Sequence, residues 1–383
     1  MTELGERILA AAEEEKEAMI SFLMELASME SPSDVPESQR PVQEFLTEAL
    51  EDLGFEVERT PGQATGGHLL AKLRNHDPAV PSQLLIGHCD TVWKEGTLET
   101  MPLVLEGDRL RGPGVFDMKG GLTQMIFGLR ILRSLGLELK VAPVILINSD
   151  EEIGSPESGP AIRKAAQEAV RAFVPEPGMG LEGRLKTARK GWGRFNLTVT
   201  GKAAHAGLDP TGGVSAILEM SYLVQALHAM TELDRGLTVN VGVISGGTRS
   251  NVIAPKASCE VDVRVLSNED GEEVEASIRS LTMTLPGTSL EIEGGFQVPP
   301  LEGTPRNRAL WKAARFAAGE LGVRLEEDTA GGGSDGNTTS QFTATLDGIG
   351  PVGDGAHAPH EFLFVSKQVE RCALLARLLL LDP

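Results

Sequence analysis

Short apolar runs that end in polar residues alternate along this chain with segments of helical periodicity, and this alternation most constrains its fold. Three such runs lie at residues 84–86, 141–148 and 172–174, and a helical segment at 120–135 is stopped by Gly136. Strands that alternate with helices form α/β sheets, which place their sites at the carboxyl ends of the strands. The sequence therefore predicts an α/β domain whose site is built from the polar residues that follow the strands.

A second pattern begins near Ala188 and ends near Val298. Alternating strands and two helical segments follow one another there in a β-α-β-β-α-β order. This order predicts an inserted α+β domain of the ferredoxin-like type, with helices on one face of its sheet. We therefore predict a first α/β part at residues 1–187, the inserted domain at 188–298, and a second α/β part at 299–383.

Length and charge limit the possible functions. A chain of 383 residues is long enough for two domains and a deep site. Its 35 lysine and arginine residues stand against 55 aspartate and glutamate residues, which gives a formal charge of -20. A nucleic-acid or anionic-membrane partner requires a basic surface, so we expect neither.

Cysteine usage and the N-terminal segment bear on the compartment. Cys89, Cys259 and Cys372 show no pairing pattern, which favours a reducing environment. The N-terminal residues predict a charged amphipathic helix rather than a signal peptide. No segment reaches the ~20 apolar residues of a membrane span. We therefore expect a cytoplasmic protein without a membrane partner.

The segment GHCDTV places His88 and Asp90 directly after a predicted strand. A lone histidine in this position is more often structural than catalytic. Asp90, however, is placed to accept the second imidazole N–H of His88. A carboxylate partner of this kind fixes the tautomer of a metal-bound histidine.

Acidic residues follow the other predicted strands. Asp117 lies in the segment GPGVFDMKGG ahead of a helix, where helix capping is an alternative role. Asp150, Glu151 and Glu152 are consecutive at the end of a very apolar strand, and adjacent acids repel one another unless cations neutralise them. Glu176 follows a further apolar run and lies between two prolines.

The segment GPVGDGAHAPHEF adds His357 and His360. Together, the histidines and carboxylates of these segments provide nitrogen and oxygen ligands suited to zinc, in a number sufficient for two ions. The glycine-rich segment GGGSDGN at residues 331–337 lacks the Lys-Ser/Thr ending of a nucleotide-binding loop. We therefore do not expect it to bind phosphate.

In order and context these five motifs resemble the dizinc metallopeptidase family of aminoacylase, glutamate carboxypeptidase and succinyl-diaminopimelate desuccinylase. The resemblance covers nearly the whole chain and is closest to the glutamate carboxypeptidase branch. It implies a zinc-peptidase-type catalytic domain, with helices around a mixed sheet, formed by residues 1–187 and 299–383. It also implies that the inserted domain at 188–298 is a dimerisation domain, so that the protein is a homodimer.

The resemblance implies ligands for two Zn²⁺ ions, with Co²⁺ or Mn²⁺ as substitutes. One ion would be held by His88, Asp117 and Glu176, and the other by Asp117, Glu152 and His357. Asp117 would bridge the two ions.

Two details of this set also follow from the resemblance. The family pattern of a histidine followed four residues later by a glutamate, here His357 and Glu361, favours His357 over His360 as the ligand. Relatives aim the bridging carboxylate with a cis peptide bond, which predicts one between Asp117 and Met118.

Catalytic roles are implied in the same way. Glu151 would be the general base, and Asp90 would orient His88. His205, in the segment GKAAHAG of the inserted domain, would reach a substrate oxygen in the site of the partner subunit. Asn251, in the segment TRSNVIAP, would contact substrate, although turn stabilisation is an alternative for both residues.

Three further residues are substrate-binding candidates. Arg264, in the segment EVDVR, is either a substrate anchor or a member of an ion pair on its strand. Ser334 and Asn337 lie where the family has a loop that lines the pocket for the substrate carboxylate.

The resemblance thus implies a hydrolase that cleaves an amide or peptide bond next to a free carboxylate, in a small N-acyl amino acid or peptide. A carboxypeptidase, an N-acyl amino acid deacylase, and a desuccinylase or dipeptidase remain open. A non-catalytic metal-dependent binding protein on the same fold is the alternative from a different class. The segment Val298-Pro299-Pro300 stands where relatives often have Arg-Pro-Pro, so the preferred substrate side chain stays open.

Overall fold

The structure is a computed structural model that describes residues 1–75, 77 and 79–383. Its α-helices, numbered in chain order, are α1 (Glu3–Glu14), α2 (Lys16–Ser28), α3 (Pro36–Asp52), α4 (Gly120–Ser134), α5 (Gly159–Glu168), α6 (Ala216–His228), α7 (Asn268–Arg279), α8 (Pro305–Glu320), α9 (Asp335–Thr339) and α10 (Val365–Leu379). Its β-strands are β1 (Phe55–Thr60), β2 (His68–Leu73), β3 (Ser82–His88), β4 (Val104–Glu106), β5 (Arg109–Arg111), β6 (Ala142–Asn148), β7 (Ala169–Val174), β8 (Leu185–Arg189), β9 (Gly191–Thr200), β10 (Thr238–Gly246), β11 (Lys256–Val265), β12 (Ser289–Val298), β13 (Glu327–Ala330), β14 (Ala344–Asp347), β15 (Gly353–Asp354) and β16 (Phe362–Phe364).

The chain forms two compact units, each with its own hydrophobic core. The first unit comprises Met1–Ala188, Gly303–Ala330 and Ser334–Pro383, and the second comprises Arg189–Glu302 and Gly331–Gly333. The second unit therefore continues beyond the predicted end of the inserted domain. Within the described part of the chain, no helix has both the length and the apolar character that a membrane crossing requires.

An eight-stranded mixed sheet lies at the centre of the first unit, in the order β1-β2-β6-β3-β7-β14-β8-β13. Strand β3 pairs in parallel with β6 and β7, whereas β2 pairs antiparallel with β1 and β6. All seven residues of β6 are buried, as expected for a strand that is covered on both faces. The predicted α/β sheet is confirmed, and its parallel centre brings the carboxyl ends of β3, β6 and β7 to one edge.

Alternate side chains of β3 enter different cores of the first unit. Leu85 belongs to the main core, which also contains residues of α1, α4 and α10. Leu84 and Ile86 belong to a smaller core with Ile162 and Ala166 of α5. Because successive side chains of a strand point to opposite faces, helices cover both faces of the sheet at β3.

A small second sheet of the first unit has the order β15-β16-β5-β4. Strand β16 pairs antiparallel with β5, and Phe362 lies opposite Arg111. This pairing brings residues 353–364 beside residues 104–111. The sequence analysis did not predict this sheet, because strands of two or three residues are too short to show a period.

The second unit has the element order β9-α6-β10-β11-α7-β12 and the antiparallel sheet order β10-β11-β9-β12. Alternate residues of β9, namely Phe195, Leu197 and Val199, are fully buried. They form a core with Met220 of α6 and Ile278 of α7. The predicted α+β layer of the ferredoxin-like type is therefore confirmed.

Candidate metal centre

The polar residues at the centre of the first unit lie at the ends of its neighbouring parallel strands. His88 is the last residue of β3, and Glu176 follows the end of β7 at Val174. Glu151 and Glu152 begin a short 3-10 helix that follows β6. Because β6, β3 and β7 are adjacent in the sheet, these side chains meet at one edge.

Asp117 lies between the two histidines of this cluster. Its Oδ1 is 3.4 Å from Nε2 of His88, and its Oδ2 is 3.4 Å from Nε2 of His357. His88 Nε2 is also 3.2 Å from Oε1 of Glu176, and His357 Nε2 is 3.0 Å from Oε2 of Glu152. The five predicted metal ligands therefore form two groups that share Asp117.

The separations between donor atoms fit bound cations. Two atoms that each lie ~2.1 Å from a tetrahedral zinc ion are about 3.4 Å apart. His88, Asp117 and Glu152 each offer one ligand atom, and these atoms all lie within 4.8 Å of one another. The spacing at this cluster is thus compatible with ligands around an ion.

Unpartnered atoms in this cluster point to the same conclusion. The atoms Nε2 of His88, Oδ1 of Asp117 and Oε1 of Glu152 are buried and have no hydrogen-bond partner among the described residues. Buried polar atoms without partners are costly and rare in folded proteins. A cation in contact with these atoms would remove that cost, so the residues present fit a metal.

The carboxylates of this cluster raise the pKa values of its two histidines. Hydrogen bonds to Asp117 and Glu152 raise the pKa of His357 to about 10. Burial opposes the charge on His88, but the neighbouring carboxylates of Asp117, Asp90 and Glu176 outweigh it and raise the pKa of His88. In the protein alone, protons on the histidines balance the carboxylates, and a metal ion would compete with those protons.

Glu151 is beside the ligand groups but makes longer contacts. Its Oε2 lies 3.9 Å from Nε2 of His88. Burial, reinforced by the charges of Glu176, Asp335 and Glu152, raises the pKa of Glu151 well above its usual range. A carboxylate that lies beside a metal site without being one of its closest contacts is placed to act as a general base.

Asp90 is fully buried and connects several parts of this cluster. Its carboxylate accepts hydrogen bonds from Oγ of Ser33 at 2.7 Å and from the backbone N–H groups of Glu151 and Glu152 at 3.3 and 3.2 Å. Nδ1 of His88 is 3.0 Å from the carbonyl oxygen of Asp90 and 3.4 Å from its carboxylate. The shorter contact to His88 thus comes from the backbone of Asp90 rather than from the predicted carboxylate.

Known proteins resemble this chain along almost its full length. The family model described as the peptidase dimerisation domain, of the M20 type, matches residues 187–287. Carboxypeptidase G2 of Pseudomonas sp. (strain RS-16) is 29% identical over 382 residues, which cover 97% of this chain and 91% of that protein. Acetylornithine deacetylase of Myxococcus xanthus is 27% identical over 379 residues, which cover 94% of this chain and 96% of that protein.

A solved structure with the same fold is aminopeptidase PepT from Bacillus cereus. It superposes with a TM-score of 0.82 at 22% identity and covers 95% of this chain and 98% of its own. The chain belongs to the M20 peptidase family. As an M20 protein it is a hydrolase with a separate dimerisation domain.

The two histidines of the last M20 motif have different surroundings. Both side chains are exposed, but His357 reaches Asp117 and Glu152, whereas Nε2 of His360 is 3.9 Å from Oδ2 of Asp354. The peptide bond between Asp117 and Met118 is cis, as predicted.

Two candidates of the dimerisation domain lie side by side on its surface. A β-bridge joins His205 to Val252, and the backbone N–H of Ala206 donates to the carbonyl of Asn251 at 3.0 Å. The side chains of His205 and Asn251 are both exposed. Nδ1 of His205 accepts the backbone N–H groups of Gly207 and Leu208, both at 3.2 Å. In the neutral ring the proton is therefore on Nε2, which makes that atom a hydrogen-bond donor.

The remaining substrate-binding candidates use their side chains in contacts within the protein. Arg264 donates through Nε and Nη2 to the two carboxylate oxygens of Asp262, at 2.9 and 3.0 Å, which is the ion-pair alternative. Ser334 and Asn337 form the capping box of α9, and Oγ of Ser334 also donates to Asp347 at 2.5 Å. Both side chains are buried, and their predicted role in substrate binding stays a prediction.

Several residues that support the site were missed from the sequence. Ser33 holds Asp90, and the carboxylate of Asp335 accepts hydrogen bonds from Oγ of Ser155 and Nδ2 of Asn148, at 2.5 and 2.8 Å. These contacts fix the segment that carries Glu151. One available signal was the segment SPSD at residues 31–34, a cluster of small polar residues between two helices.

Proposed function

We propose that this M20 protein is a two-zinc hydrolase that cleaves an amide or peptide bond next to a free carboxylate. The observation that carries the proposal is the pair of histidines on opposite oxygens of Asp117, each 3.4 Å away, in a cluster with buried polar atoms that lack partners. His88, Asp117 and Glu176 would hold one ion. Asp117, Glu152 and His357 would hold the other.

The metals and the protein supply different parts of the chemistry. Two zinc ions would polarise the scissile carbonyl and lower the pKa of the attacking water. Glu151 takes a proton from that water and delivers it to the nitrogen of the leaving amine. Its position supports this role, because Glu151 lies beside the ligand groups, with its Oε2 3.9 Å from Nε2 of His88.

The dimerisation domain would contribute donors to the substrate. Two backbone N–H groups on Nδ1 of His205 leave its exposed Nε2 as a donor for the oxyanion that forms when water attacks the carbonyl. The exposed side chain of Asn251, next to His205 in the backbone, would contact substrate.

The substrate class rests on the relatives. Carboxypeptidase G2 and acetylornithine deacetylase each match more than nine-tenths of this chain. A carboxypeptidase substrate and an N-acyl amino acid share an amide bond close to a free carboxylate. We place carboxypeptidase-like cleavage first and N-acyl amino acid deacylation second.

An exposed apolar surface of the second unit supports a homodimer. Val243 and Ile244 on the edge strand β10 are 53% and 60% exposed, and Ile217, Leu218 and Tyr222 on α6 are 46%, 45% and 40% exposed. Apolar side chains on an edge strand and an adjacent helix are typical of an interface between subunits.

A substrate panel tests the function. The protein is stripped of metal with a chelator and reloaded with Zn²⁺, then offered dipeptides and N-acyl amino acids, each as the free acid and as the C-terminal amide. We expect turnover of at least one free-acid series that is lost on stripping, restored by Zn²⁺ and absent from the amides. A protein that binds two equivalents of zinc but hydrolyses none of these compounds would favour the binding-protein alternative.

A further inference from the structure

The carboxylate of Glu361 accepts four hydrogen bonds, three of them from the segment that carries Asp117 and one from Trp93. Oε1 accepts the backbone N–H groups of Phe116 and Asp117 at 2.9 and 3.1 Å. Oε2 accepts the backbone N–H of Gly114 at 3.0 Å and Nε1 of Trp93 at 2.8 Å. Glu361 is only 1% exposed, so these donors replace water for the whole carboxylate.

The backbone of Glu361 is also held by hydrogen bonds. Its carbonyl accepts the N–H of Gly112 at 3.3 Å, next to the pairing of β16 with β5. Its own N–H donates to the carbonyl of Ala358 at 3.0 Å, one residue beyond His357. The residue therefore has backbone contacts on both sides, to the segment before Asp117 and to the segment that carries His357.

The segment from Gly114 to Asp117 needs acceptors of this kind. Gly114 has a φ of 71°, a conformation that favours glycine, and the chain is kinked at Asp117 and Met118, whose backbone dihedral angles are not helical. Three backbone N–H groups of this segment point at one carboxylate, which offers about four acceptor positions. Because these three N–H groups are tied to one side chain, Glu361 fixes the path of the chain from Gly114 into Asp117.

We propose that Glu361 is the positioning residue that sets Asp117 against His357, and thereby determines the affinity of the ion that these two side chains share. The ion itself rests on the function proposed above, whereas the hydrogen bonds do not. Glu361 touches neither ion nor substrate in this role; it acts through the backbone of Asp117.

A glutamine at this position separates the acceptor role from simple packing. An amide has nearly the same shape, but it offers one acceptor oxygen and would turn its NH₂ group toward two N–H donors. Trp93→Phe removes one of the four donors and leaves the carboxylate in place. Glu219→Gln is the matched structural control: Glu219 is a fully buried carboxylate of the second unit that accepts the backbone N–H groups of Thr284 and Leu285.

The experiment titrates Co²⁺ into metal-free wild type and the three variants, and follows visible absorption and the dissociation constant of each binding step. Thermal unfolding of the metal-free proteins is measured alongside. We expect Glu361→Gln to weaken one Co²⁺ step by about 10- to 100-fold, the usual effect of losing a partner of a metal ligand, and to change its spectrum. Trp93→Phe should weaken the same step less. Glu219→Gln should lower the unfolding temperature with wild-type affinity for both ions.

Each other outcome also has a definite meaning. Wild-type Co²⁺ affinities and spectrum in Glu361→Gln would overturn the role of Glu361 and leave the proposed function intact. If that variant does not fold, the Co²⁺ affinity of Trp93→Phe is the test. Weaker binding in one step supports the role of Glu361, and unchanged affinity overturns it. Wild-type protein that binds no Co²⁺ would overturn the proposed function and this inference with it.

Discussion

The two units of this protein treat their buried polar groups differently. Among the described residues, the buried side-chain nitrogen and oxygen atoms without a hydrogen-bond partner all lie in the first unit, and three of them belong to His88, Asp117 and Glu152. In the second unit the buried carboxylate of Glu219 accepts two backbone N–H groups. His205, its candidate catalytic residue, is exposed.

This difference separates two ways to build a functional group. A buried polar atom without a partner destabilises the fold. Its presence in the metal cluster is explained if a ligand binds there. An exposed imidazole whose Nδ1 is already occupied costs little and is available to a substrate. The first unit is therefore expected to respond to metal, and His205 to substrate.

The largest effect is expected from Glu151, the carboxylate of this cluster that belongs to neither group of predicted metal ligands. Glu151→Gln should retain both metals and lower kcat by about 10³- to 10⁴-fold, because an amide cannot accept the proton of the attacking water. Glu152→Gln should instead lower the metal content, since Oε2 of Glu152 lies 3.0 Å from Nε2 of His357. Metal analysis and steady-state kinetics on both variants provide the comparison.

The reverse pattern, with metal lost from Glu151→Gln and retained in Glu152→Gln, would exchange the two roles. Full activity in Glu151→Gln would show that the proton is accepted elsewhere.

The second effect concerns the histidines of the segment at residues 357–360. His357→Ala should lower activity on the order of 10³-fold, because it removes a metal ligand, and such losses exceed those of the outer partners. His360→Ala should retain most of the activity, since its Nε2 is 3.9 Å from Asp354 and it is mostly exposed. Activity and zinc content of the two variants are measured together. The opposite ranking would move the ligand to His360.

The third effect tests the second unit. His205→Ala should lower kcat on the order of 10²-fold, the effect of losing one donor to an oxyanion, with unchanged zinc content. His228→Ala, at the last residue of α6 in the same unit, is the control and should keep wild-type kcat. Zinc loss in His205→Ala would contradict the distinction between the two units.

The activity of a mixed dimer tests whether His205 acts on the partner subunit, as the family resemblance implies. A heterodimer of Glu151→Gln and His205→Ala protomers, isolated through two different tags, should recover activity because one of its sites is complete. A heterodimer as inactive as both parents would show that His205 does not act in this way.

The features that could be predicted from the sequence are those with a local signal. His88, Glu152 and Glu176 follow apolar runs that end abruptly, and the structure brings them together because β6, β3 and β7 are neighbours. The β-α-β-β-α-β order of the second unit is equally visible in its alternating strands. Periodicity and strand ends thus predicted the sheet and the residues around it.

The supporting residues carry no such signal. Ser33 and Asp90 are 57 positions apart, and Glu361 and Asp117 are 244 positions apart, so no local pattern connects them. The short strands β5 and β16, which bring Glu361 to its donors, are also too short to show a period. Contacts of this kind depend on the folded path of the chain and could only be found in the structure.

The smallest effect is expected from a surface ion pair of the first unit, Glu327 with Arg308, whose contribution to stability can be compared with that of the buried carboxylates. Glu327 accepts hydrogen bonds from Arg308, which hold its pKa down at about 2, and Thr187 adds a further donor at 2.6 Å. A depressed folded pKa contributes stability above the unfolded value near 4.5, and this contribution is lost as the pH falls toward 2. Both side chains are about one-third or more exposed, so the pair is worth less than about 1 kcal/mol at pH 7.

Glu327→Gln should therefore lower the free energy of unfolding of the metal-free protein at pH 7, and the difference from wild type should shrink at pH 3. Urea unfolding at both pH values measures this difference, and metal-free protein is used because acid would otherwise release the ions and add their own contribution. Glu326→Gln, next to it on a more exposed pair with Arg324, should change little at either pH. A cost of Glu327→Gln that is the same at pH 7 and pH 3 would mean that the side chain acts through neutral contacts such as Thr187. The charge on Glu327 would then contribute nothing to stability. The Glu327–Arg308 pair could then not be compared with the buried carboxylates of the first unit that lack partners.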